Sequence, residues 1–369
     1  MSAIEKVLTA ARMILDARRR YDVGLLSVIH RFMVAWRRKF SPVEISQLEL
    51  LNTKSGHRSL DDFISNEELL RIQAALNPVS LHDETEDKRR FYRRCAEHGF
   101  PIPATVAEIA GGHERNAITH DAAYEGEDFL VRLCATLSEG DYILKPADGY
   151  HGEGIAGFRI GTAPAERRAT GAEIARHVDR FPQFDSWLLQ ERLKNHRDVL
   201  ALSPSEALQT IRIVTCVDAD GTVAVLAAQW RLADRESCID NFNGASRGLL
   251  CNIIPETGLI ETCWRQKRDY PREFGFEVHR WHPATGQPLV GRKVPFWEDA
   301  VDLASRAATA FLPARAIGWD VAVSDRGVIL IEGNRLWDPH NEDARMGERV
   351  RRLTAQLAAA AGAPKTASP

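Results

Sequence analysis

Several things are missing from this sequence, and each absence narrows the reading. It has no run of about 18 apolar residues, the length a membrane-spanning helix needs. Its best candidate, Val23 to Trp36, is broken by His30 and Arg31. The first thirty residues lack an apolar core followed by a small-residue cleavage site, so no secretory signal is expected. The six cysteines (Cys95, Cys134, Cys216, Cys238, Cys251, Cys263) include no CxxC pair. That argues against a zinc site or a disulfide framework and for small, reduced core residues. A net charge of −3 over 369 residues gives no overall attraction to nucleic acid or anionic membrane. There is no GK[ST] loop, and no GxGxxG run that opens a helix, so the two common helix-capped phosphate cradles are excluded. With 44% apolar and 27% charged residues, the expectation is a cytoplasmic globular chain of two or three domains.

What is present centres on Ile317 to Asn334, IGWDVAVSDRGVILIEGN. Asp325-Arg326-Gly327 is a turn signal between two apolar runs, which predicts a β-hairpin. Glu332 and Asn334 are two residues apart on the second strand and therefore share a face. Pairing across the turn would set Asp320 beside them. Two carboxylates and an amide oxygen are a donor set for a hard cation such as Mg²⁺ held against phosphates. Taken alone, the same hairpin also reads as an exposed one with solvated acids.

Other stretches supply what such a cation would serve. Tyr142 to Ile160, YILKPADGYHGEGIAGFRI, reads as a strand ending at Lys145, a loop carrying Gly149, Gly152 and Gly154, and a second strand. Glycines let backbone N–H groups approach a polyphosphate, and the lysine adds a mobile positive charge. Asp87 to Pro103 reads as a helix stopped at Gly99, with Lys88 near its start. Phe184 to Leu193 is an apolar strand closing on Gln190-Glu191-Arg192-Leu193, an edge suited to reading a base. Thr210 to Leu232 is a hairpin about Asp218 to Gly221, with Arg212 and Arg231 inside otherwise apolar strands. A buried arginine requires a partner, either a structural carboxylate or a bound anion. Asp240 to Gly244 is a polar loop suited to facing substrate, and Glu298 to Phe311 is an amphipathic helix. Trp264 to Trp297 is irregular, and the Ala-rich tail is helical before it fades.

At the other end, residues 1 to about 40 show two helical periodicities with basic clusters at Arg18 to Arg20 and Arg37 to Lys39. Two readings stay open for them: a packed helix pair with solvated arginines, or attachment to a membrane surface or an acidic partner. Ser41-Pro42-Val43-Glu44 is a helix N-terminus signature, and Asn77-Pro78 ends a later helix.

The motifs DKRRFYRRCAEHGFPIP, KPADGYHGEG, TIRIVT, DNFNG and the IGWDVA and LIEGN pair, in this order and preceded by Asn77-Pro78, resemble the sugar-transfer-associated ATP-grasp family over roughly residues 40–345. The resemblance implies an α+β ATP-grasp fold, two subdomains gripping ATP, with a helical N-terminal region at 1–80. The N-terminal subdomain would occupy 81–140, a glycine-flap subdomain 141–200, the C-terminal subdomain with the Mg²⁺ site 201–350, and a helical or disordered tail 351–369. It implies Lys88 and Lys145 on the phosphates under the flap glycines, Glu191, Arg192 and Leu193 at the adenine, and Asp198 at the ribose. Asp320, Glu332 and Asn334 would hold Mg²⁺ (Mn²⁺ is the alternative), and Arg212 and Arg231 would lie near the phosphates or the acceptor. The sequence departs from the family after Asn334, where Arg335 to His340 replaces a Pro-Gly-containing segment.

The activity so implied is carboxylate–amine ligation through an acylphosphate, in a surface-polysaccharide or sugar-conjugate setting. A hydroxyl kinase and a non-catalytic nucleotide-binding component are the alternatives.

Overall fold

A computed structural model describes residues 3–54, 56–77, 82–111, 115–149, 152–233, 248–266, 276–338, 341, 343 and 345–362, with backbone only at 3–7, 82–83, 266 and 360–362. The polar loop at 240–244 and the end of the 335–340 segment lie outside the described residues.

Two antiparallel sheets organise the chain. The first has six strands in the order β3-β2-β1-β6-β4-β5. These are β1 (Thr105–Ala110), β2 (Asn116–Ile118), β3 (Ala123–Glu125), β4 (Gly140–Pro146), β5 (Ala156–Ile160) and β6 (Ser186–Glu191). It is one sheet running across the division expected between 140 and 141, because β1 pairs with β6 and β6 with β4. Helices α7 (Phe129–Thr136) and α8 (Pro164–Arg180) pack with it through Leu130, Leu133, Ile174 and Val178.

The second sheet has seven strands, in the order β11-β10-β9-β8-β7-β12-β13. They are β7 (Thr210–Val217), β8 (Val223–Leu232), β9 (Leu249–Ile253), β10 (Ile260–Gln266), β11 (Phe276–Val278), β12 (Ala316–Ser324) and β13 (Gly327–Asn334). Strand β7 is buried at every position, as expected for a strand covered on both faces. Ile211 and Ile213 point into the larger core with Leu303 and Ala307 of α10 (Trp297–Ala310). Val214 and Cys216 point the other way, toward Leu69 and Ile72 of α4 (Asn66–Leu76) and Val350 of α11 (Met346–Gly362). Alternation along one strand thus serves two helical layers.

The N-terminal region is therefore part of the core packing. Asn77, the C-cap of α4, is fully buried. Its amide donates to the carbonyls of Ala316 and Arg335, and its oxygen accepts from the N–H groups of Arg315 and Ala316. Every hydrogen-bonding site of that amide pair is engaged, which fixes α4 to the start of β12. Ahead of it, α1 (Ala3–Tyr21), α2 (Leu25–Arg37) and α3 (Pro42–Gln47) enclose a small core of their own around Val28, Ala35 and Ile45. The α3 start is the predicted capping box between Ser41 and Glu44.

The expectation of reduced cysteines needs one correction. Cys251 and Cys263 stand opposite each other across β9 and β10 and are joined as a disulfide. The tight turn between the strands brings together two residues 12 apart, a proximity that spacing alone does not reveal. Cys95, Cys134 and Cys216 are buried free thiols.

Candidate active site

The two sheets meet at a cavity of about 520 Å³. The segment after β6 ties them together: His196 N–H donates to Val323 O at 3.0 Å, and Asp325 N–H donates to Lys194 O at 2.9 Å. The turn of the β12–β13 hairpin is thereby fixed beside the last residues of β6. Arg326, in that turn, adds an ion pair to Glu191 at 2.7 Å.

On the first sheet, β4 delivers Lys145 into the cavity near its C-terminal end. The amine is buried, and its Nζ donates to Tyr92 Oη at 2.6 Å. Tyr92 Oη donates in turn to Ile331 O of β13 at 2.7 Å. Burial, and then the neighbouring Lys88, push the Lys145 amine down to about 7, with Glu332 pulling the other way. Burial also keeps the Tyr92 phenol protonated far above its ordinary range, with Glu332 adding to the effect. Tyr92 belongs to α6 (Lys88–Glu97), which follows the short α5 (His82–Glu86), and lies one turn after Lys88, so the two share a face of the helix.

Lys88 opens α6, whose N-cap is Asp87. Its Nζ donates to Gly149 O at 2.8 Å and its N–H to Ala147 O at 2.8 Å, so it pins the base of the glycine loop. Gly149, Gly152 and Glu153 line the cavity. Gly154 has a φ of +75°, and a Cβ there would lie 3.0 Å from Pro146 and 3.1 Å from the Trp187 ring. Glycine is required at that point by both backbone conformation and space. His177 of α8 faces the Gly154 carbonyl at 2.8 Å and anchors the far end of the loop.

Apolar contributions to the cavity come from Ile143, Ile155, Leu193, Leu208 and Ile331, with Gln190, Glu191 and Arg192 at its edge. These form a slot bounded by the end of β6. The Arg192 N–H is spent on Asp141 O at 2.9 Å. That leaves the carbonyl of Arg192 and the backbone of Leu193, not the Arg192 donor, for a base.

The cation-ligand candidates lie as the hairpin pattern predicted, with one important difference. Asp320 pairs in register with Glu332 and Gly318 with Asn334. Asp320 also pairs in register with Arg212 on its other side. The Asp320 carboxylate accepts from Arg212 Nε and, at 2.9 Å, from Arg212 Nη2, and lies 3.2 Å from Arg231 Nη1. Burial favours the neutral acid, but Arg212 and then Arg231, with hydrogen bonds from Arg212, hold Asp320 well below the usual carboxylate range. Burial likewise opposes the Arg212 charge, and Asp320 more than restores it. Asp320 is thus first of all the partner that the two buried arginines require.

The open oxygens are those of the next two residues. Asn334 Nδ2 donates to Glu332 Oε1 and to Gly318 O, each at 3.3 Å, which leaves Asn334 Oδ1 available. Among the described residues no three His, Cys, Asp or Glu converge. A carboxylate with an amide oxygen, and Asp320 alongside, fits Mg²⁺, which commonly takes one or two protein carboxylates and completes its shell with phosphates and water.

Of the other sequence candidates, Asp198 is not brought to the cavity. It lies exposed in the first turn of α9 (Arg197–Leu202), where His196 caps the helix and turns it outward. Glu206 lines the cavity instead and accepts from Arg192 at 3.2 Å. In the segment that departs from the family pattern, Leu336 and Asp338 face the cavity while Trp337 packs into the core. Sequence reading passed over Tyr92, Glu206 and the Ile331 carbonyl. Only Tyr92 left a signal, its spacing of one helical turn from Lys88.

The profile of the sugar-transfer-associated ATP-grasp family matches residues 70–351, and the chain belongs to that family. Comparison with curated protein sequences finds no match. Among solved structures, the chain is similar to the ADP complex of N5-carboxyaminoimidazole ribonucleotide synthetase, with 12% identity, a TM-score of 0.43, and coverage of 80% of this chain and 59% of that one. An L-amino acid ligase from Bacillus licheniformis gives 10% identity and a TM-score of 0.36, covering 73% and 46%. The biotin carboxylase–β,γ-ATP complex from Campylobacter jejuni gives 10% and 0.40, covering 90% and 53%. The chain therefore spans about half the length of these structures.

Proposed function

We propose that the protein is an ATP-dependent ligase that activates a carboxylate as an acylphosphate and passes it to an amine. The observation that carries this reading is the single cavity in which Lys88, Lys145, the glycine loop, the end of β6, Glu332 and Asn334 converge. ATP would lie with its base in the slot beside Leu193 and Ile331, its ribose toward Glu206, and its phosphates under the glycine loop. Glu332 and Asn334, with Asp320 behind them, would hold Mg²⁺, which when bound neutralises and aligns the phosphates.

The chain's own residues then supply positioning and charge. A carboxylate oxygen of the acceptor attacks the γ-phosphorus, and the bond from that phosphorus to the β–γ bridging oxygen breaks, releasing ADP. Lys145 sits where it can place a positive charge on the transferred group, where an oriented cation is worth most in a dry site. Gly149, Gly152 and Glu153, which line the cavity, would lie over the acylphosphate and exclude water, which would hydrolyse it. An amine nitrogen then attacks the acyl carbon, phosphate leaves, and the amine gives up a proton. Arg231, part-buried at the cavity wall and tied to Asp320, is suited to hold the acceptor's carboxylate, and Leu336 and Asp338 line the same end. The family's association with sugar transfer supports a sugar acid or sugar-linked carboxylate as the acceptor.

The test is ADP release from Mg²⁺-ATP across a panel of sugar acids and amino acids, with hydroxylamine replacing the amine. Hydroxamate formation in step with ADP supports the ligase. ADP release with a stable phosphorylated hydroxyl and no hydroxamate would identify a kinase. Tight ADP binding with no turnover for any pair would indicate a non-catalytic nucleotide-binding protein.

A further inference from the structure

The paired helices at the N-terminus carry a feature that the nucleotide site does not use. In α2 the residues on one line, Val28 and Ala35, are fully buried against the rest of the region. Half a helical turn away, Leu26, His30, Met33 and Arg37 form a second line, at i, i+4, i+7 and i+11, and all four are exposed. In α1, Ala17 is buried while Leu8, Arg12, Leu15 and Arg19 are exposed at the same spacing. Both helices therefore repeat the order apolar, basic, apolar, basic along the face turned away from the protein.

These apolar side chains are well out in solvent: Leu26 is 82% exposed and Leu8 53%. Trp36, stacked on Phe32 and 47% exposed, lies at the flank of the α2 line. The outward leucines and methionine stand apart from the core that the inward line supplies, and leave large apolar surface in solvent. The charge is equally one-sided. Residues 1–40 contain nine lysines and arginines against three acids, in a chain whose net charge is −3.

We propose that this helix pair is a docking surface for an anionic lipid bilayer. The apolar residues would enter the boundary between headgroups and acyl chains. The arginines beside them would meet lipid phosphates, and Trp36 would sit at headgroup level. Charge complementarity selects the partner: a net positive helix pair whose exposed lines alternate apolar and basic side chains matches a negative surface with an apolar layer beneath it. The helices would lie on the surface, since none of the described helices is long and apolar enough to cross it. The proposal does not rest on the catalytic reading.

The experiment is co-sedimentation of the full chain with vesicles of phosphatidylcholine alone and of phosphatidylcholine mixed with phosphatidylglycerol, at low and high salt. Binding is expected only to the anionic vesicles and is expected to weaken with salt. Removing three arginines together (Arg12→Ser, Arg19→Ser, Arg37→Ser) should weaken binding about a hundredfold, at the strength usual for a basic residue near such a surface. The pair Leu26→Glu and Met33→Glu should weaken it at least about tenfold. Both variants should keep the wild-type unfolding midpoint, because the altered side chains are exposed. No binding to anionic vesicles, or equal binding to neutral ones, would overturn the proposal. So would self-association of the wild type that the Leu26→Glu and Met33→Glu pair abolishes, which would assign the face to a second copy of the chain.

Discussion

Lys145→Met is the sharpest perturbation of the proposed site, because it removes a charge and keeps most of the side-chain volume. Burial first, and then Lys88, lower the amine from 10.5 to about 7 in the folded protein. The folded value is the lower one, so between pH 7 and 10.5 the unfolded chain binds more protons and stability rises with pH. The cost of the buried charge is borne in full below pH 7 and fades toward pH 10.5. The difference between 10.5 and about 7, at about 1.36 kcal/mol per pH unit, makes that cost about 5 kcal/mol. The lost hydrogen bond to Tyr92 offsets about 1 kcal/mol of the gain from removing the amine. In urea unfolding, Lys145→Met is expected to be more stable than wild type by a few kcal/mol at pH 6.5, with the gap closing at pH 9.5. Nucleotide phosphates should restore the charge. ADP binding to wild type should therefore take up about half a proton at pH 7 and nearly one at pH 8. Calorimetry in buffers of different ionisation enthalpy measures this uptake, and the Met variant subtracts protons taken up by the nucleotide itself. Equal uptake by the two proteins at pH 8, or a Met variant less stable at every pH, would refute the reasoning.

Asp320→Asn leaves Arg212 and Arg231 buried without their carboxylate, and should cost about 3–5 kcal/mol in equilibrium unfolding. A loss under about 1 kcal/mol would mean that the arginines do not depend on it. Gly154→Ala forces a Cβ into a left-handed conformation against Pro146 and Trp187, and should cost about 1–3 kcal/mol and raise the KM for ATP. An unchanged KM would detach the loop from the nucleotide. Asp198→Ala should leave nucleotide affinity within about twofold of wild type, whereas Glu206→Ala should weaken it several-fold by calorimetry. The opposite ranking would return the ribose contact to Asp198.

Much of this site was legible because its parts are local. The β12–β13 hairpin is announced by Asp325 to Gly327, but the register set at the turn, which holds as far as Val321 opposite Leu330, would place Asp320 opposite Ile331; a register shift beyond Val321 brings it to Glu332 instead. The strand–loop–strand around Gly149 to Gly154 is legible for the same reason. What was hidden depends on contacts between distant segments. That Arg212 and Arg231 needed a partner followed from burial alone, but that Asp320 would be that partner depends on β7 pairing with β12. Asp198 was misplaced because His196 starts a helix there and faces it outward, while the return of the chain at Glu206 leaves no periodic signal. The Cys251–Cys263 pair likewise arises from strand register, not from a spacing motif. The continuity of the first sheet across residue 140 comes from β6, which reaches back to pair with both β1 and β4.

Whether phosphate passes through the acceptor carboxylate is the most direct question to put to the proposed chemistry. An acceptor found in the hydroxamate screen, labelled with oxygen-18 in its carboxylate, is incubated with Mg²⁺-ATP and amine, and the released phosphate is analysed by mass spectrometry. The account predicts one labelled oxygen in each phosphate, carried over when the acyl–oxygen bond breaks. Phosphate released without label, at a rate matching ADP, would contradict it.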